Sequence, residues 1–548
     1  MSRRSADVPA RPWILLAASL LLTSACTSAS RFAPSKLREI DTAIETAIAA
    51  GKTPGAVFWL EHAGAVHHRA YGNRSVAPAL ERATEDTMYD AASLTKAVAT
   101  APSVWLLIER GRIDLDAPVT RYLPEFNGGW REQVTIRHLL THTSGISLNV
   151  SLREEWSGYD EGVRRAATAR VQWRPGMLFR YSDVNSILLG EIVRRISGMP
   201  LDRFAREQIF VPLGMLDTTF RPAEVAPAKL ARIAPTELTH GVILRGVVHD
   251  ALARRMGGVA GHAGMFTTAS DLARFARAML SGGAGVWRPG TVRAMTTVQS
   301  PACVAGLRAG AFDLDTSYSR PRGDLFPLGS FGHTGFTGGF FWIDPRSRSF
   351  YVFLSNRVHP DDSGNVTSLQ PLLGTLAAKA AGVTATEPPP PARWIAGGMN
   401  VHNGIDTVMA DEFEPLSGLR VAVLTDAAAT DQSGSPVLDV LASARRVNVV
   451  ARLGTGRGCA SGLPSYDLSA EAARPRTERF RGIDAIVVDL QNSDDLAAAL
   501  EAVADTGVRM IVLDRTVRDG RTVAGIARTL RDERKLNVEL AVVPISTW

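Results

Sequence analysis

Ser93 and Lys96 lie three residues apart at the start of an apolar segment that continues to Arg110, and this is the one Ser-x-x-Lys motif in the chain. In a helix, this spacing puts both side chains on one face, where the serine feels the positive end of the helix dipole. A lysine in so apolar a helix is expected to be buried, and loss of hydration lowers the pKa of an amine. We therefore predict an uncharged Lys96 that accepts the Ser93 proton and makes Ser93 a nucleophile. The alternative is a helix-capping serine beside a solvated lysine.

Two further segments carry side chains suited to the same chemistry. Tyr181 lies in Arg180-Tyr181-Ser182-Asp183, and near a cation its phenol could act as a general base. His333 lies in Gly332-His333-Thr334-Gly335, which predicts an edge strand that a substrate backbone can approach closely. His333 is expected to hold a carboxylate or to donate to the tyrosine hydroxyl. The alternatives are a packed tyrosine and a histidine satisfied by backbone.

The composition limits the classes of protein that remain. The 548 residues are 45% hydrophobic and 21% charged, which excludes a disordered chain and a multi-span membrane protein. Three cysteines exclude a disulfide scaffold and a four-cysteine zinc site. The net charge of +6 comes from scattered basic residues, so we expect no nucleic-acid partner. Only six of the 61 basic residues are Lys, so Lys96 is either neutral drift or a place that needs a cation able to lose its proton.

The elements around these motifs predict an antiparallel sheet flanked by helices, with an all-helical subdomain in the middle. A helix is expected at Leu37–Ala50, because its apolar residues repeat with helical spacing and Gly51 follows. Strands are expected near both ends of this region, with helical segments between them. The predicted strands are Gly55–Leu60, His67–Tyr71, Phe340–Ile343 and Phe350–Leu354.

The run Glu387-Pro388-Pro389-Pro390-Pro391 predicts a stiff linker over residues 384–393. After it, strands alternate with helices, which predicts a small parallel α/β domain of the Rossmann type over residues 394–548. The predicted strands are Leu419–Leu424, Ile483–Leu490 and Val508–Leu513, and the predicted helices are Val437–Arg446 and Asp494–Ala504.

The N-terminus predicts export. Arginines precede the short apolar run Trp13–Leu22, which is too short to span a bilayer, and small residues lead to Ala25-Cys26. This pattern resembles a bacterial lipoprotein signal, with residues 1–25 removed, Cys26 lipidated and residues 26–34 a tether. The alternative is ordinary cleavage that leaves a soluble periplasmic protein. Cys303 and Cys459 remain in the mature chain, and their pairing is left open.

Together, Ser-x-x-Lys, Tyr-Ser-Asp and His-Thr-Gly, in this order, resemble the serine β-lactamase and penicillin-binding-protein superfamily, in its class-C-like branch. The resemblance covers residues 35–383 and includes the stretch Arg137–Gly145. It implies that Ser93 is the acylated nucleophile and that Lys96 accepts its proton. Tyr181 would share the base role and activate the deacylating water.

The resemblance also implies a substrate-binding set. Asp183 stands where many relatives have Asn, so an acceptor would meet a substrate amide. His333 stands where lactamases usually have Lys, which gives less fixed positive charge and argues against efficient β-lactam hydrolysis. Thr334 and Gly335 would line the substrate, and the backbone N–H groups of Ser93 and Phe336 would form the oxyanion hole. His262, in Gly261-His262-Ala263-Gly264, is expected to be a substrate contact or to have a structural role.

The C-terminal region resembles the N-terminal half of the exo-acting N-acetylmuramidase family. That family carries Pro-Glu-His-Gly where this chain has Thr455-Gly456-Arg457-Gly458, so the presumed catalytic carboxylate and histidine are replaced. Asp489 and Gln491 persist, but one carboxylate does not support two-carboxylate glycoside chemistry. We therefore expect a truncated, inactive remnant that binds wall fragments or packs against the first domain.

These observations predict a periplasmic, lipid-anchored serine hydrolase that needs no cofactor and no metal. The stretch Gly329–Gly338 resembles the branch of penicillin-binding-protein-like cell-wall hydrolases that includes carboxypeptidases and muropeptide amidases. This resemblance implies that the substrates are peptidoglycan fragments or other small acyl compounds. The hydrolase would cleave the terminal D-Ala amide or the muramoyl–L-Ala amide through an acyl-enzyme. The alternatives are an esterase of the same superfamily and a non-catalytic lipoprotein that binds the cell wall.

Overall fold

The structure is a computed structural model, and it describes residues 32–384, apart from 303 and 305, and most of residues 401–547. We refer to these two parts as the hydrolase region and the C-terminal region. In the C-terminal region the description omits 403, 427–428, 432–433, 454–458, 476–477, 491–493, 516–521 and 544–545. The predicted signal peptide with Cys26, the proline linker, Thr455-Gly456-Arg457-Gly458, Gln491 and Cys303 therefore lie outside the described residues. The predicted domain boundaries stay predictions.

An antiparallel sheet forms the centre of the hydrolase region, as predicted. Its eight strands within the described residues are, in spatial order, Glu81–Arg82, Ala65–Ser75, Gly55–His62, Ser349–Ser355, Phe340–Asp344, Phe331–Thr334, Asp313–Asp315 and Leu307–Arg308. Strands from both ends of the region meet in the middle, where Gly55–His62 pairs with Ser349–Ser355. The chain between them is therefore free to form the helical subdomain.

Helices cover both faces of this sheet. Two terminal helices, Pro34–Ala49 and Leu369–Ala380, pack on one face. The remaining helices, which pack against the other face or extend from it, are Ala101–Glu109, Ile136–Leu140, Tyr159–Ala167, Asp183–Ser197, Leu201–Ala205, Pro222–Val225, Ala251–Arg255, Ala269–Leu280 and Pro289–Thr296. A short sheet of Tyr89–Asp90, Met265–Thr267 and Thr219–Phe220 lies among them, and the pair Leu238–Thr239 and Val242–Ile243 forms a hairpin.

Alternating side chains of the central strands explain why both faces are covered. Phe341 and Ile343 are buried in the core on the side of the helical subdomain, whereas Phe340 and Trp342 are buried in the core under the two terminal helices. Successive residues of a strand point to opposite faces, so an uninterrupted apolar run needs two apolar partners. Burying each of these side chains contributes about 1.5–3 kcal/mol.

The prediction that the His333 strand lies at the sheet edge is wrong. Phe331–Thr334 pairs along its length with Phe340–Asp344, and on its other side Gly332 pairs with Asp313. Two short strands therefore continue the sheet beyond it. The pairing on that outer side ends at Gly332, so the backbone after Gly332 is not paired with the neighbouring strand.

The C-terminal region contains the predicted parallel sheet. Its strands within the described residues are, in spatial order, Ser465–Tyr466, Asn448–Leu453, Arg420–Thr425, Ala485–Asp489, Arg509–Leu513 and Leu540–Val543. Its helices are Gly404–Ala410, Val437–Ser443, Leu468–Ala473, Asp494–Val503 and Val523–Glu533, and a small pair joins Val401–His402 to Ser546–Thr547. The central strand Ala485–Asp489 is buried along its whole length, as expected of a sheet with helices on both faces.

The two regions share apolar contacts. Trp173 and Leu178 of the hydrolase region are buried in the same core cluster as Ile405 and Leu441 of the C-terminal region. The backbone N–H of Arg174 donates to the carbonyl of Ser443 at 3.1 Å. Within the part of the chain that the structure describes, no helix is both long and apolar enough to cross a bilayer.

Candidate active site

A sharp turn presents Ser93. The turn follows the buried strand Tyr89–Asp90, and the Asp90 carboxylate accepts a hydrogen bond from the Ala92 N–H at 2.8 Å. Ala92 has a φ of 44°, which is unusual for a residue with a Cβ. Strained backbone of this kind concentrates at functional sites, because the surrounding structure must hold it in place. Ser93 is half-buried at the tip of the turn.

Lys96 begins a π-helical turn, Lys96–Thr100, that leads into the α-helix Ala101–Glu109. Pro102 lies at the start of this α-helix, and the departure from α-helical bonding falls directly before it. Proline lacks the N–H that an α-helix needs and crowds the preceding turn, so the wider π turn relieves the conflict. The Lys96 side chain is only 4% exposed, so the predicted burial is confirmed.

Three acceptors surround the amine of Lys96. Its Nζ lies 2.9 Å from Ser93 Oγ, 3.0 Å from the backbone carbonyl of His262, and 2.7 Å from Asp183 Oδ1. An ammonium has three N–H donors and no acceptor, so this arrangement satisfies the charged form completely. The predicted juxtaposition of Ser93 and Lys96 is therefore confirmed, and the alternative of a solvated lysine is excluded.

The prediction that Lys96 is uncharged is wrong. Burial lowers the pKa of Lys96, but the carboxylate of Asp183, with a contribution from Tyr181, raises it above the ordinary value of a lysine. The prediction from sequence included the loss of hydration and left out the Asp183 carboxylate, because Asp183 is 87 residues away from Lys96 in the chain. In the resting protein, Lys96 is an ammonium paired with Asp183.

Tyr181 is held between two aromatic rings beside this ion pair. Its ring stacks on His142 at a centroid distance of 4.5 Å and packs against Tyr318 at 4.9 Å. Lys96 Nζ lies 5.1 Å from the centre of the ring. Burial raises the pKa of Tyr181, whereas the charge of Lys96 and the hydroxyl of Ser93 lower it, and the net pKa is raised. Tyr181 is thus a neutral phenol in the resting protein.

The loop that carries Tyr181 is fixed through His142. The backbone N–H of Arg180 donates to the carbonyl of His142 at 2.8 Å, and Nδ1 of His142 accepts from the N–H of Ser182 at 3.1 Å. The amide of Asn185 lies 3.0 Å from the same nitrogen. Burial, with the nearby charges of Arg308 and Lys96, lowers the pKa of His142 well below its usual range. His142 is therefore a neutral acceptor that orients the loop.

His333 lies on the other side of Tyr181, with the two ring centroids 6.1 Å apart. Nδ1 of His333 lies 2.8 Å from the carbonyl of Thr334, so the neutral ring carries its proton on Nδ1 and leaves Nε2 as an acceptor. Nε2 is buried and has no hydrogen-bond partner among the described residues. Burial lowers the pKa of His333 to about 4, so the ring is uncharged at neutral pH.

The segment after His333 lies against the turn that presents Ser93. The hydroxyl of Thr337 donates to the carbonyl of Asp90 at 2.7 Å, and a Cβ on Gly335 would come within 2.8 Å of the carbonyl of Ala91. Gly335 itself donates its N–H to Gly339 at 2.7 Å. Among the described residues, the N–H groups of Ser93 and Phe336 donate to no protein acceptor. Two backbone donors are thus available where the two segments meet.

The side chain of Phe336 extends from this segment to the surface. It is 56% exposed, its ring stacks on His249 at 5.6 Å, and the guanidinium of Arg357 lies 4.3 Å from its centroid. Thr334 is half-buried beside it. An exposed aromatic face held in place by an arginine offers an apolar surface to a ligand.

His262 is buried rather than exposed to the opening. Its backbone carbonyl holds Lys96, and its Nε2 lies 2.9 Å from Asp250 Oδ1. Burial raises the pKa of Asp250, but the charge of His262 lowers it further, and the net pKa is well below the usual range. The His262 ring is therefore not placed to contact a substrate directly.

Asp183, Asp250 and His262 place possible metal-ligand atoms within 4.8 Å of one another. The donor types would suit a divalent cation. However, the Lys96 ammonium already lies 2.7 Å from Asp183, and Asp250 and His262 pair with each other. The carboxylates of Asp183 and Asp250 are therefore already engaged by side chains of the protein.

The structure thus brings together Ser93, Lys96, Tyr181 and Asp183, with His333 next to the tyrosine. Sequence analysis missed His142, Asp250, Tyr318 and Arg308. His142 lies within the stretch Arg137–Gly145 that carried part of the resemblance, so its position there was the available indication. Arg308, whose guanidinium lies 6.0 Å from the Tyr181 ring and pairs with Asp313, belongs to no motif.

The comparisons with known proteins agree with this geometry. A family model described as Beta-lactamase matches residues 40–374, and the chain belongs to that family. The protein is accordingly a serine hydrolase of the β-lactamase and penicillin-binding-protein type. The matched residues end before the parallel sheet, so they leave the C-terminal region unassigned.

Two relatives carry a more specific name than the family. A protein of Escherichia coli (strain K12) named "Putative D-alanyl-D-alanine carboxypeptidase" is 34% identical over 309 residues, which are 51% of this chain and 71% of the relative. A protein of the same name from Escherichia coli O157:H7 is 31% identical over 376 residues, 62% of this chain and 86% of the relative.

A solved structure supports the fold. The crystal structure of a β-lactamase from Sulfitobacter sp. EE-36 matches with a TM-score of 0.50 at 22% identity, over 63% of this chain and 96% of that one. At this identity the match speaks for the arrangement of strands and helices alone.

Proposed function

We propose that this protein cleaves amide bonds of peptidoglycan peptides through an acyl-enzyme on Ser93. The observation that carries the proposal is the 2.9 Å contact between Lys96 Nζ and Ser93 Oγ in a buried charged cluster. The names of the relatives support a peptide substrate with D-alanine. The expected resemblance of the C-terminal region to a muramidase points to the same material, by association only.

In the proposed reaction, Ser93 Oγ attacks the carbonyl carbon of the amide while its proton passes to Lys96 in its amine form, with Tyr181 sharing the proton. The N–H groups of Ser93 and Phe336 would stabilise the oxyanion. The amide C–N bond then breaks as the leaving nitrogen takes up that proton, which leaves an ester on Ser93. Water attacks the ester and gives its proton to Tyr181 in its phenolate form. The ester C–O bond then breaks as Ser93 Oγ takes that proton back, and the acid is released.

The resting protonation states limit this reaction. Lys96 is an ammonium and Tyr181 is a neutral phenol, because their pKa values are both raised. The form that can accept the Ser93 proton is therefore a minor one at neutral pH, and its population increases with pH. We expect acylation to accelerate as the pH rises into the alkaline range.

The neutral charge of His333 bears on which of the two candidate amide bonds is cleaved. A terminal D-Ala amide carries a carboxylate next to the bond that is cleaved, and a cation would bind it. His333 offers an unprotonated Nε2 at neutral pH instead. The muramoyl–L-Ala amide has no carboxylate at that place, so it is the second candidate bond. The same absence of charge argues against efficient β-lactam hydrolysis.

We propose that the C-terminal region has lost any glycosidase activity of its own. Asp489 is fully buried, and its carboxylate pairs with Arg515, whose Nη2 lies 2.9 Å from Oδ2. Burial raises the pKa of Asp489 to about 6, against the opposing charge of Arg515. A carboxylate engaged in this way is unsuited to act alone on a sugar. A periplasmic location and a lipid on Cys26 complete the proposal.

Mass spectrometry of muropeptides before and after incubation tests the proposal. Loss of D-Ala identifies carboxypeptidase activity, and separation of the peptide from muramic acid identifies amidase activity. Neither product should form with Ser93→Ala. Faster turnover of p-nitrophenyl esters than of any muropeptide would instead identify the esterase. Pelleting with sacculi that is unchanged in Ser93→Ala, without any product, would identify a wall-binding protein.

A further inference from the structure

The loop that ends in Tyr181 is also the contact between the two regions. Residues 170–182 connect a helix of the hydrolase region to the helix Asp183–Ser197, and Trp173 and Leu178 in this loop are buried against the C-terminal region. A backbone bridge joins Trp173 to Ala444. The loop therefore takes its conformation from both regions, rather than from the hydrolase region alone.

Arg180, the residue before Tyr181, reaches furthest into this contact. Its side chain is 5% exposed and forms an ion pair with Asp431, which is 1% exposed. Its Nη1 donates to Ser435 Oγ at 3.0 Å, and its guanidinium lies 5.4 Å from the centre of the Trp173 ring. Asp431 and Ser435 are 251 and 255 residues away from Arg180 in the chain.

Asp431 is itself fixed to the parallel sheet. Its Oδ1 accepts the N–H of Ser435 at 2.9 Å, and the carbonyl of the preceding Thr430 accepts from Arg515 Nη2 at 3.0 Å. Arg515 in turn pairs with Asp489 at the carboxyl end of the strand Ala485–Asp489. In open parallel sheets, ligands usually bind at the carboxyl ends of the strands. Here a series of polar contacts connects that end of the sheet to Arg180 of the hydrolase region.

On its other side, Arg180 is tied to the active site. Its backbone N–H is bonded to the His142 carbonyl, and the His142 ring stacks on Tyr181. The position of Arg180 therefore helps to set where the phenol lies relative to Lys96. Removing one partner of a buried ion pair leaves an uncompensated charge, so the loop cannot keep this position at low cost without Asp431.

We propose that the C-terminal region acts as a positioning partner of the hydrolase, with Arg180 as a positioning residue and Asp431 as its clamp. This proposal rests on the proposed role of Tyr181 as the base that assists Ser93. Small errors in the position of a catalytic group cost on the order of 10²-fold in rate, which makes such a clamp measurable.

The test compares two ion pairs between the regions in the full-length protein. Asp431→Asn removes the buried clamp, and Glu412→Gln removes the pair Arg170–Glu412, whose side chains are 45% and 49% exposed. The measured quantity is the rate constant for labelling of Ser93 by a fluorophosphonate, per titrated active site, from neutral to alkaline pH. Counting active sites removes any effect of a smaller folded fraction.

We expect Asp431→Asn to lower the rate constant by about 10- to 100-fold and Glu412→Gln to change it by less than about twofold. The alkaline limb of Asp431→Asn should also move, because Lys96 and Tyr181 each shift the pKa of the other and a displaced Tyr181 weakens this coupling. Arg180→Lys should retain more activity than Arg180→Met. Equal rate constants and equal pH profiles for the two carboxylate variants would overturn the proposal.

A second variant covers the case in which Asp431→Asn does not fold. Ser435→Ala removes one hydrogen bond from Arg180 and should slow labelling by a few-fold, with the same direction of pH shift. An unchanged rate would overturn the clamp. If wild-type Ser93 is not labelled at all, the proposed nucleophile fails instead. Hydrogen exchange of residues 176–182 then tests the clamp, since only the Asp431 and Ser435 variants should exchange faster.

Discussion

Lys96–Asp183 in the hydrolase region and Arg515–Asp489 in the C-terminal region are both ion pairs with a buried basic side chain, and of these two pairs only Lys96–Asp183 adjoins a reactive group. In the C-terminal region, Asp489 and Arg515 are almost fully buried and bond to each other and to backbone. In the hydrolase region, Asp183 is 20% exposed, and its partner Lys96 also contacts the hydroxyl of Ser93. A buried ion pair thus becomes useful for chemistry when one partner touches a nucleophile beside open solvent.

The largest expected effect is that of Ser93→Ala. It should lower amide hydrolysis by at least about 10³-fold, because no other group in the site can form the acyl-enzyme. Turnover of muropeptides measures the effect. The matched control is Ser103→Ala, a buried serine that donates to the carbonyl of Ala99 at 2.7 Å. Equal activity in the two variants would contradict the assignment of the nucleophile.

Tyr181→Phe removes the phenol and keeps the ring that packs between His142 and Tyr318. Loss of a general base costs about 10²–10⁴-fold, so acylation and deacylation should both slow by an amount in this range. Single-turnover kinetics separate the two steps. Tyr318→Phe, which alters the neighbouring ring, should have a smaller effect. A Tyr181→Phe enzyme with wild-type rates in both steps would remove Tyr181 from the mechanism.

The comparison also predicts a difference in stability. Asp489→Ala leaves the buried charge of Arg515 without its partner, which costs about 3–5 kcal/mol in free energy of unfolding. Glu501→Ala removes the exposed pair with Arg534 and should cost less than about 1 kcal/mol. Urea unfolding of the full-length protein measures both. Similar values for the two variants would mean that the Asp489–Arg515 pair is not structural.

Of these variants, Asp183→Asn should change the rate of acylation least, and the direction of its pH shift is the most specific prediction. The Asp183 carboxylate raises the pKa of Lys96, so its removal should lower that pKa and move the alkaline limb of acylation to lower pH. Acylation at neutral pH then increases. Labelling of Ser93 as a function of pH measures the shift, with the exposed Asp116→Asn as the control. An unchanged pH profile of labelling in Asp183→Asn would show that the ionisation of Lys96 does not control the alkaline limb.

Much of the fold was predictable because local patterns agree with it. Uninterrupted apolar strands such as Phe350–Leu354 require cover on both faces, and both faces are covered. The alternation of strands and helices after the proline run predicted the parallel sheet. The order of Ser-x-x-Lys, Tyr-Ser-Asp and His-Thr-Gly identified the residues that meet in the site. Each of these indications lies within a few consecutive residues.

The parts that were not predictable depend on distant partners. The charge of Lys96 is decided by Asp183, and desolvation alone gave the opposite sign. The outer pairing of the His333 strand comes from two short strands whose sequences carry no strand pattern. In the sequence, Arg180 looks like an ordinary surface arginine, because its buried partner Asp431 follows 251 residues later. Such contacts belong to the tertiary structure and leave no periodicity in the sequence.

The central claim is that the acyl group of a peptidoglycan fragment is transferred to Ser93, which is the peptide in carboxypeptidase cleavage and the muramoyl group in amidase cleavage. Rapid acid quenching of the full-length protein with muropeptides, followed by intact-mass measurement and peptide mapping, tests it directly. The account predicts a covalent adduct on the peptide that contains Ser93, with an amount that rises as the pH increases. Product formation without an adduct, or an adduct on another residue, would contradict it.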